Sequence, residues 1–189
     1  MLDKNIPFYR IIMKRDQGTA IKKADLPEGF QFVFFTSGDE KDWAAIETSV
    51  LEFEDEKKAL EYFSKSYLPH IEDLEKRTVF VENSYGEKIA TFTAWHSEIE
   101  GKSYPFVHWV ACKPEYQGRG IGKALIAYGV SLMIHLDGVV NMYIPTQTWS
   151  HRAIRLYQWA GFRILLDQKK YGNFDNQGED GYEVIRDLL

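Results

Sequence analysis

The strand-to-helix junction Val110-Ala111-Cys112-Lys113-Pro114-Glu115-Tyr116-Gln117-Gly118-Arg119-Gly120-Ile121-Gly122-Lys123-Ala124 constrains this chain more than any other stretch. An apolar strand runs into glycines at 118, 120 and 122, and helical periodicity begins at once. Without Cβ atoms the backbone can turn tightly and bring successive N–H groups close to an anion. The helix that follows adds unsatisfied N–H donors and the positive end of its dipole. The combination suits a pyrophosphate. Two common nucleotide loops fail on spacing. A Walker A loop would need glycine at Gln117 and a hydroxyl at Ala124, and a dinucleotide fingerprint starting at Gly118 would need glycine at Lys123.

The rest of the chain supplies a mixed order of elements. A short strand is expected at the sheet edge over Phe8 to Met13, and a clear one over Phe30 to Phe35 after the turn Leu26-Pro27-Glu28-Gly29. Trp43, Ile46, Val50 and Phe53 recur at helical spacing over Asp39 to Phe53; Ala59, Leu60, Phe63 and Tyr67 do so over Asp55 to Tyr67, where Pro69 ends the run. Strands follow over Thr78 to Glu82, Lys88 to His96 and Tyr104 to Cys112, then a helix over Gly120 to His135. A strand over Val139 to Ile144, a helix over His151 to Ala160 and a strand over Arg163 to Leu166 complete the central part. The tail from Gly172 to Leu189 can dock as a strand or as a short helix, and Asp175 to Gly181 reads as a solvated turn rather than a calcium loop. The order predicts an α+β (mixed α/β) fold: a central mixed, mostly antiparallel sheet flanked by helices.

Gln117-Gly118-Arg119-Gly120-Ile121-Gly122 is similar to the [RQ]-x-x-G-x-[GA] signature of the GNAT acyltransferases. A second block downstream, Ser150-His151-Arg152-Ala153-Ile154-Arg155-Leu156-Tyr157-Gln158-Trp159-Ala160-Gly161-Phe162, resembles that family's N-x-x-A-x-x-L-Y-x-x-x-G-F segment. The resemblance covers residues 77–166. It implies acetyl-CoA as cosubstrate, held by Gln117, Gly118, Arg119, Gly120, Ile121, Gly122 and Lys123 at the pyrophosphate. Backbone groups of Val110, Ala111 and Cys112 would serve the pantetheine and acetyl carbonyl. Ser150 stands where the family often has asparagine and offers one hydroxyl in its place.

Amine acetylation needs a deprotonated amine, a polarised thioester carbonyl and a proton for the leaving thiolate. The resemblance makes Tyr157 the candidate acid; the competing reading is a packed aromatic, with Leu156, Ala153 and Ala160 as the helix's apolar face. His108, which period-two alternation puts on the face of Val110 and Cys112, is the candidate base, against a structural histidine. His96 and Glu98 are weaker candidates. Cys112 has no partner base in the sequence, and covalent catalysis through it is not expected.

A single domain over 1–189 is expected, with 1–29 as an extension. The net charge of −5 gives no concentrated basic face for nucleic acid. No apolar run reaches the ~20 residues that cross a bilayer, and the amino-terminal stretch lacks the shape of a signal peptide, so a cytoplasmic enzyme with no membrane partner is expected. One cysteine excludes an internal disulfide and a cysteine metal cluster, and no metal is expected. A small-molecule amine is favoured over a protein lysine as acceptor, its site drawn from the early helices and Trp43, Phe53, Tyr62, Phe63 and Trp95. A homodimer is compatible with the sequence. The alternative function is a non-catalytic CoA-binding sensor.

Overall fold

The computed structural model describes residues 2–189. The strands are β1 Arg10–Arg15, β2 Phe30–Phe34, β3 Thr78–Asn83, β4 Lys88–Ile99, β5 Lys102–Cys112, β6 Met142–Gln147, β7 Arg163–Ile164, β8 Lys170–Tyr171 and β9 Phe174–Asp175. The helices are α1 Glu40–Ser49, α2 Glu56–Ser66, α3 Ile71–Arg77, α4 Ile121–Asp137, α5 His151–Trp159 and α6 Gly178–Ile185. Seven strands hydrogen-bond in the order β2-β3-β4-β5-β6-β1-β7, with β8 and β9 as a separate pair. The β5–β6 step is parallel and the β1–β6, β1–β7, β2–β3 and β3–β4 ladders are antiparallel, so the sheet is mixed and mostly antiparallel, as expected.

The chain divides into two compact units, one of residues 24–93 and 109–129, the other of residues 2–23, 94–108 and 130–189. In the first, β2 and β3 pair from Phe30↔Asn83 to Phe34↔Val79, and β3 and β4 pair from Thr78↔Thr93 onward. α2 starts where the Asp55 carboxylate accepts from Lys58 N at 2.8 Å, which satisfies one of the helix's orphan donors. Its buried residues, Ala59 and Phe63, lie one turn apart. Phe63 stacks on Phe35, and Phe35 on Phe80, to form part of the unit's aromatic core. Pro69 falls in a single 3-10 turn, Leu68–His70, and the chain then enters α3, which the sequence reading did not resolve.

In the second unit Ile12, Phe106, Tyr143 and Leu165 form a buried cluster with Tyr104, Tyr171 and Phe174 packed against it. The expectation of an edge strand near Phe8 to Met13 is corrected. β1 runs two residues later and lies between β6 and β7, with Met13 opposite both Ile144 and Ile164. Ile11, Ile12 and Met13 are accordingly buried on both sides. The segment ahead of β1 is tied down too. Thr148 Oγ1 donates to Pro7 O at 2.6 Å and accepts from Tyr9 N at 3.0 Å, while Trp149 Nε1 donates to Ile6 O at 2.8 Å.

The tail forms both a β8–β9 hairpin and α6, and Asp175 to Gly181 is not the solvated turn expected. Asn176 is 3% exposed, accepts from Ile12 N at 2.8 Å and donates to Leu165 O at 2.9 Å. Glu100 and Gly101, at φ of 52° and 75°, make the tight turn joining β4 to β5. Two successive positive φ values match the twist of a two-residue hairpin.

Candidate functional site

The first unit contains the glycine loop and the end of β5. Gly118 and Gly120 adopt φ of 78° and 88°, and a Cβ built on either would meet nothing within 4 Å. Glycine is therefore required by backbone conformation while the space above the loop stays open, the arrangement a backbone-bound anion needs. α4 begins directly after, with Lys123 N and Ala124 N bonding back to Gly120 O at 3.1 and 3.2 Å. Its first turn carries no acidic residue to compete with an anion. Gly118 and Gly120 thus turn the backbone as the glycine spacing led one to expect.

Side chains hold this loop in place. Gln117 Nε2 donates to Cys112 O at 2.7 Å and ties the loop back to the strand before it. The Arg119 guanidinium lies 5.2 Å from the Tyr116 ring centroid and donates to Glu115 O at 3.0 Å. Tyr116 donates in turn to Glu87 at 3.0 Å and accepts from Asn83 Nδ2 at 3.1 Å, in the β3–β4 turn. Lys113 pairs with Glu87 at 2.7 Å and holds that carboxyl below its usual range. Lys123 is exposed on the first turn of α4, and Ile121 is buried beneath it.

Val110, Ala111 and Cys112 close β5. Just before them Trp109 takes φ of 49°, a left-handed conformation that breaks the pleat. The regular alternation that put His108 on the face of Val110 and Cys112 is thus interrupted between them. Burial, followed by the charge of Glu115, pushes the Cys112 thiol up to about 11. A thiol this weakly acidic is a poor nucleophile near pH 7.

His108, Ser150 and Tyr157 belong to the second unit. His108 sits edge-on to Phe106 and Phe174, with centroids at 6.4 and 5.8 Å. Burial, helped by the nearby charge of His96, lowers its pKa to about 4, so the imidazole is neutral near pH 7. His96 lies 3.8 Å from Asp137. Ser150 occupies the N-cap position of α5 without spending its hydroxyl on a cap bond to the helix. The buried residues of α5 are His151, Ile154 and Tyr157, which corrects the apolar face expected at Leu156 and Ala153. Tyr157 is 5% exposed and shares the core-facing side of the helix.

A buried carboxyl on α1 adds to the residues singled out from the sequence. Glu47 is 1% exposed and sits one turn after Trp43 on the inner face of α1. Its signal was available: a charged residue four positions from Trp43 and three from Val50, inside the apolar stripe. One turn away Trp43 packs with Phe53, Tyr62 and Trp109, the four rings at centroid separations of 5.2 to 6.3 Å, and Tyr67 lies within electrostatic reach of Glu47. Phe63 joins this group and Trp95 belongs to the other unit.

Among the described residues no group of three or more His, Cys, Asp or Glu side chains could hold a metal ion, and no helix is long and apolar enough to cross a membrane.

The model of the acetyltransferase (GNAT) family matches residues 41–162. The chain is 29% identical over 107 residues to the S-alkylcysteine N-acetyltransferase of Bacillus subtilis, covering 54% of this chain and 60% of that one. It is 33% identical over 90 residues to the N-alpha-acetyltransferase RimI of Mycobacterium tuberculosis, covering 46% and 53%. The chain therefore spans between half and two thirds of the length of these curated relatives. In fold it is similar to a GCN5-related N-acetyltransferase from Sphaerobacter thermophilus, with a TM-score of 0.62 at 20% identity over 85% of this chain and 50% of that one. It is also similar to a tandem GNAT protein from the clavulanic acid biosynthesis pathway, with a TM-score of 0.60 at 16% identity over 86% and 51%.

Proposed function

Because the chain belongs to the acetyltransferase (GNAT) family, we propose that it transfers the acetyl group of acetyl-CoA to a primary amine by direct attack in a ternary complex. The observation that carries this reading is the open glycine cradle, with Gly118 and Gly120 at positive φ at the entry to α4. Backbone N–H groups from Gly118 to Gly122, with Arg119 and Lys123, serve the diphosphate. Gln117 keeps the loop against β5, and Ile121 anchors the start of α4. Backbone groups of Val110, Ala111 and Cys112, with the Ser150 hydroxyl, serve the pantetheine arm and the acetyl carbonyl.

The acceptor amine loses a proton, its nitrogen bonds to the thioester carbonyl carbon, and the C–S bond breaks as the thiolate leaves. His108, neutral near pH 7, is the proposed proton acceptor for the amine. Tyr157 is the proposed donor to the thiolate; a phenol of pKa ~10 donates to a thiolate of conjugate pKa ~8.5 when oriented. The chemistry requires no metal. A small-molecule amine is the proposed acceptor class rather than a protein lysine, in line with the relative named for S-alkylcysteine, and an alpha-amino group is also raised by the relative named N-alpha-acetyltransferase RimI.

A second reading, a CoA-binding sensor without turnover, draws support from the burial of Tyr157 on the core side of α5. Thiol release across a panel of amines separates the two. The enzyme reading expects turnover, with kcat in Tyr157→Phe lower by about 10²-fold and stabilisation by acetyl-CoA retained. Stabilisation without turnover on any amine would favour the sensor.

A further inference from the structure

Of the three buried polar atoms of α1 that have no hydrogen-bond partner, Trp43 Nε1, Glu47 Oε1 and Thr48 Oγ1, the first two lie one turn apart. Both residues are at most 1% exposed. A buried carboxyl oxygen left without a partner is unfavourable until one arrives, and the acetyl-transfer chemistry proposed above does not use this one. Residues at i and i+4 share a helix face, so Glu47 lies on the face from which Trp43 packs against Phe53, Tyr62, Tyr67 and Trp109. Tyr67 interacts with Tyr62 and Trp109 and lies within electrostatic reach of Glu47.

The group has an outer side. Tyr62 is 37% exposed, and Phe53 and Trp109 are half-buried, whereas Trp43 and Tyr67 are buried. Trp109 also immediately precedes Val110 on β5, so the ring group adjoins the strand end assigned to the thioester. Aromatic faces attract cations, and a carboxylate among them adds a full opposite charge.

We propose that Glu47 and the rings around it recognise the acceptor, a primary ammonium carrying an apolar or aromatic substituent. The inference rests on the acyltransferase reading and names its substrate class. The Glu47 carboxylate pairs with the ammonium, the rings pack on the substituent, and Trp43 Nε1–H is left for an acceptor atom of the ligand. The proton balance is explicit. Burial first, then the negative charge of Glu52, raises the Glu47 carboxyl well above its usual range, and buried Tyr67 stays neutral beside it. In the free protein this burial favours the acid form of Glu47. When the ammonium pairs with it, one O–H bond breaks and the proton passes to solvent.

The test is calorimetric titration of the acetyl-CoA-free protein with benzylamine at pH 6, in two buffers of different ionisation enthalpy. The native protein is expected to release protons on binding, with the release falling as pH rises. Glu47→Gln is expected to bind benzylamine at least 10-fold more weakly without release, and benzyl alcohol and methylamine to bind the native protein at least 10-fold more weakly than benzylamine does. Binding without proton release, equal affinity in Glu47→Gln, or no benzylamine binding by the native protein would overturn the proposal. The native-protein measurement stands even if Glu47→Gln fails to fold. Thermal stabilisation by acetyl-CoA, measured alongside, reports the coenzyme site separately, so its loss would sink the acyltransferase reading rather than the acceptor assignment alone.

Discussion

Gln117 Nε2 donates to the carbonyl oxygen of Cys112 at 2.7 Å, so the side chain that opens the glycine signature is bonded back to the last residue of β5. The loop and the strand end proposed to share one coenzyme are thereby fixed to each other within one unit of the chain.

Gln117→Ala removes that tie on an exposed stretch, where a hydrogen bond contributes about 0.5–1.5 kcal/mol. The melting point should move little, whereas the KM for acetyl-CoA should rise several-fold with kcat nearly unchanged. Steady-state kinetics at saturating amine checks this.

Gly129 and Gly120 should respond in opposite ways to substitution by alanine. A Cβ at Gly129 would lie 2.3 Å from the Phe92 ring, so overpacking should cost about 1–3 kcal/mol, while one at Gly120 meets no atoms and carries only the strain of a positive φ. Gly129→Ala should lower the melting point by several degrees and leave acetyl-CoA affinity intact in the folded protein. Gly120→Ala should weaken acetyl-CoA binding more than it lowers the melting point. Denaturation and coenzyme titration of both variants decide it.

His108 makes folding pH-dependent with a definite sign. Its pKa is lowered to about 4 in the folded protein from the ordinary 6.5, so the unfolded chain binds the proton more readily. The neutral form's stabilisation is fully present above pH 6.5 and is lost as pH falls toward 4, to a total on the order of 2–3 kcal/mol. The stability difference between native protein and His108→Gln, followed by urea denaturation from pH 7.5 to 4, should shrink by about that amount. A difference that stays constant with pH would contradict the burial argument.

Asn176 fastens the tail to β1 and to the end of β7. Asn176→Ala strands Ile12 N–H and the Leu165 carbonyl in the interior, and at roughly 1–3 kcal/mol for each unsatisfied group the loss should be about 3 kcal/mol. Thermal unfolding should shift down by roughly 6–12 °C for a chain of this size.

The contrast between the glycine loop and Asn176 marks what a sequence reading reaches. The loop is a local device: three glycines between an apolar strand and an apolar-periodic helix specify positive φ and an anion cradle within a few residues, and the structure keeps that form at Gly118 and Gly120. Strand and helix order was legible for the same reason. β1's interior place depends on Met13 meeting Ile144 and Ile164, more than 130 residues away, which no local pattern encodes. The left-handed turn of Trp109 is equally hidden, since a tryptophan gives no signal for positive φ, and it undid the alternation drawn from Phe106 to Cys112. Glu47 could have been found, because it interrupts the apolar stripe of α1, but the stripe was read from its apolar members alone. Tyr157 was located by its block, while the helix face it occupies followed from Ile154 and His151 and not from Leu156.

The central claim, that the glycine loop holds acetyl-CoA, is tested most directly by the thermal stability of the native protein and of Gly120→Glu with and without acetyl-CoA. At 100 times the dissociation constant the coenzyme should stabilise the native protein by about 2.7 kcal/mol, while Gly120→Glu, whose side chain would project a negative charge into the cradle, should unfold cooperatively and show no shift. An absent shift in the native protein, or an equal one in Gly120→Glu, would contradict the claim.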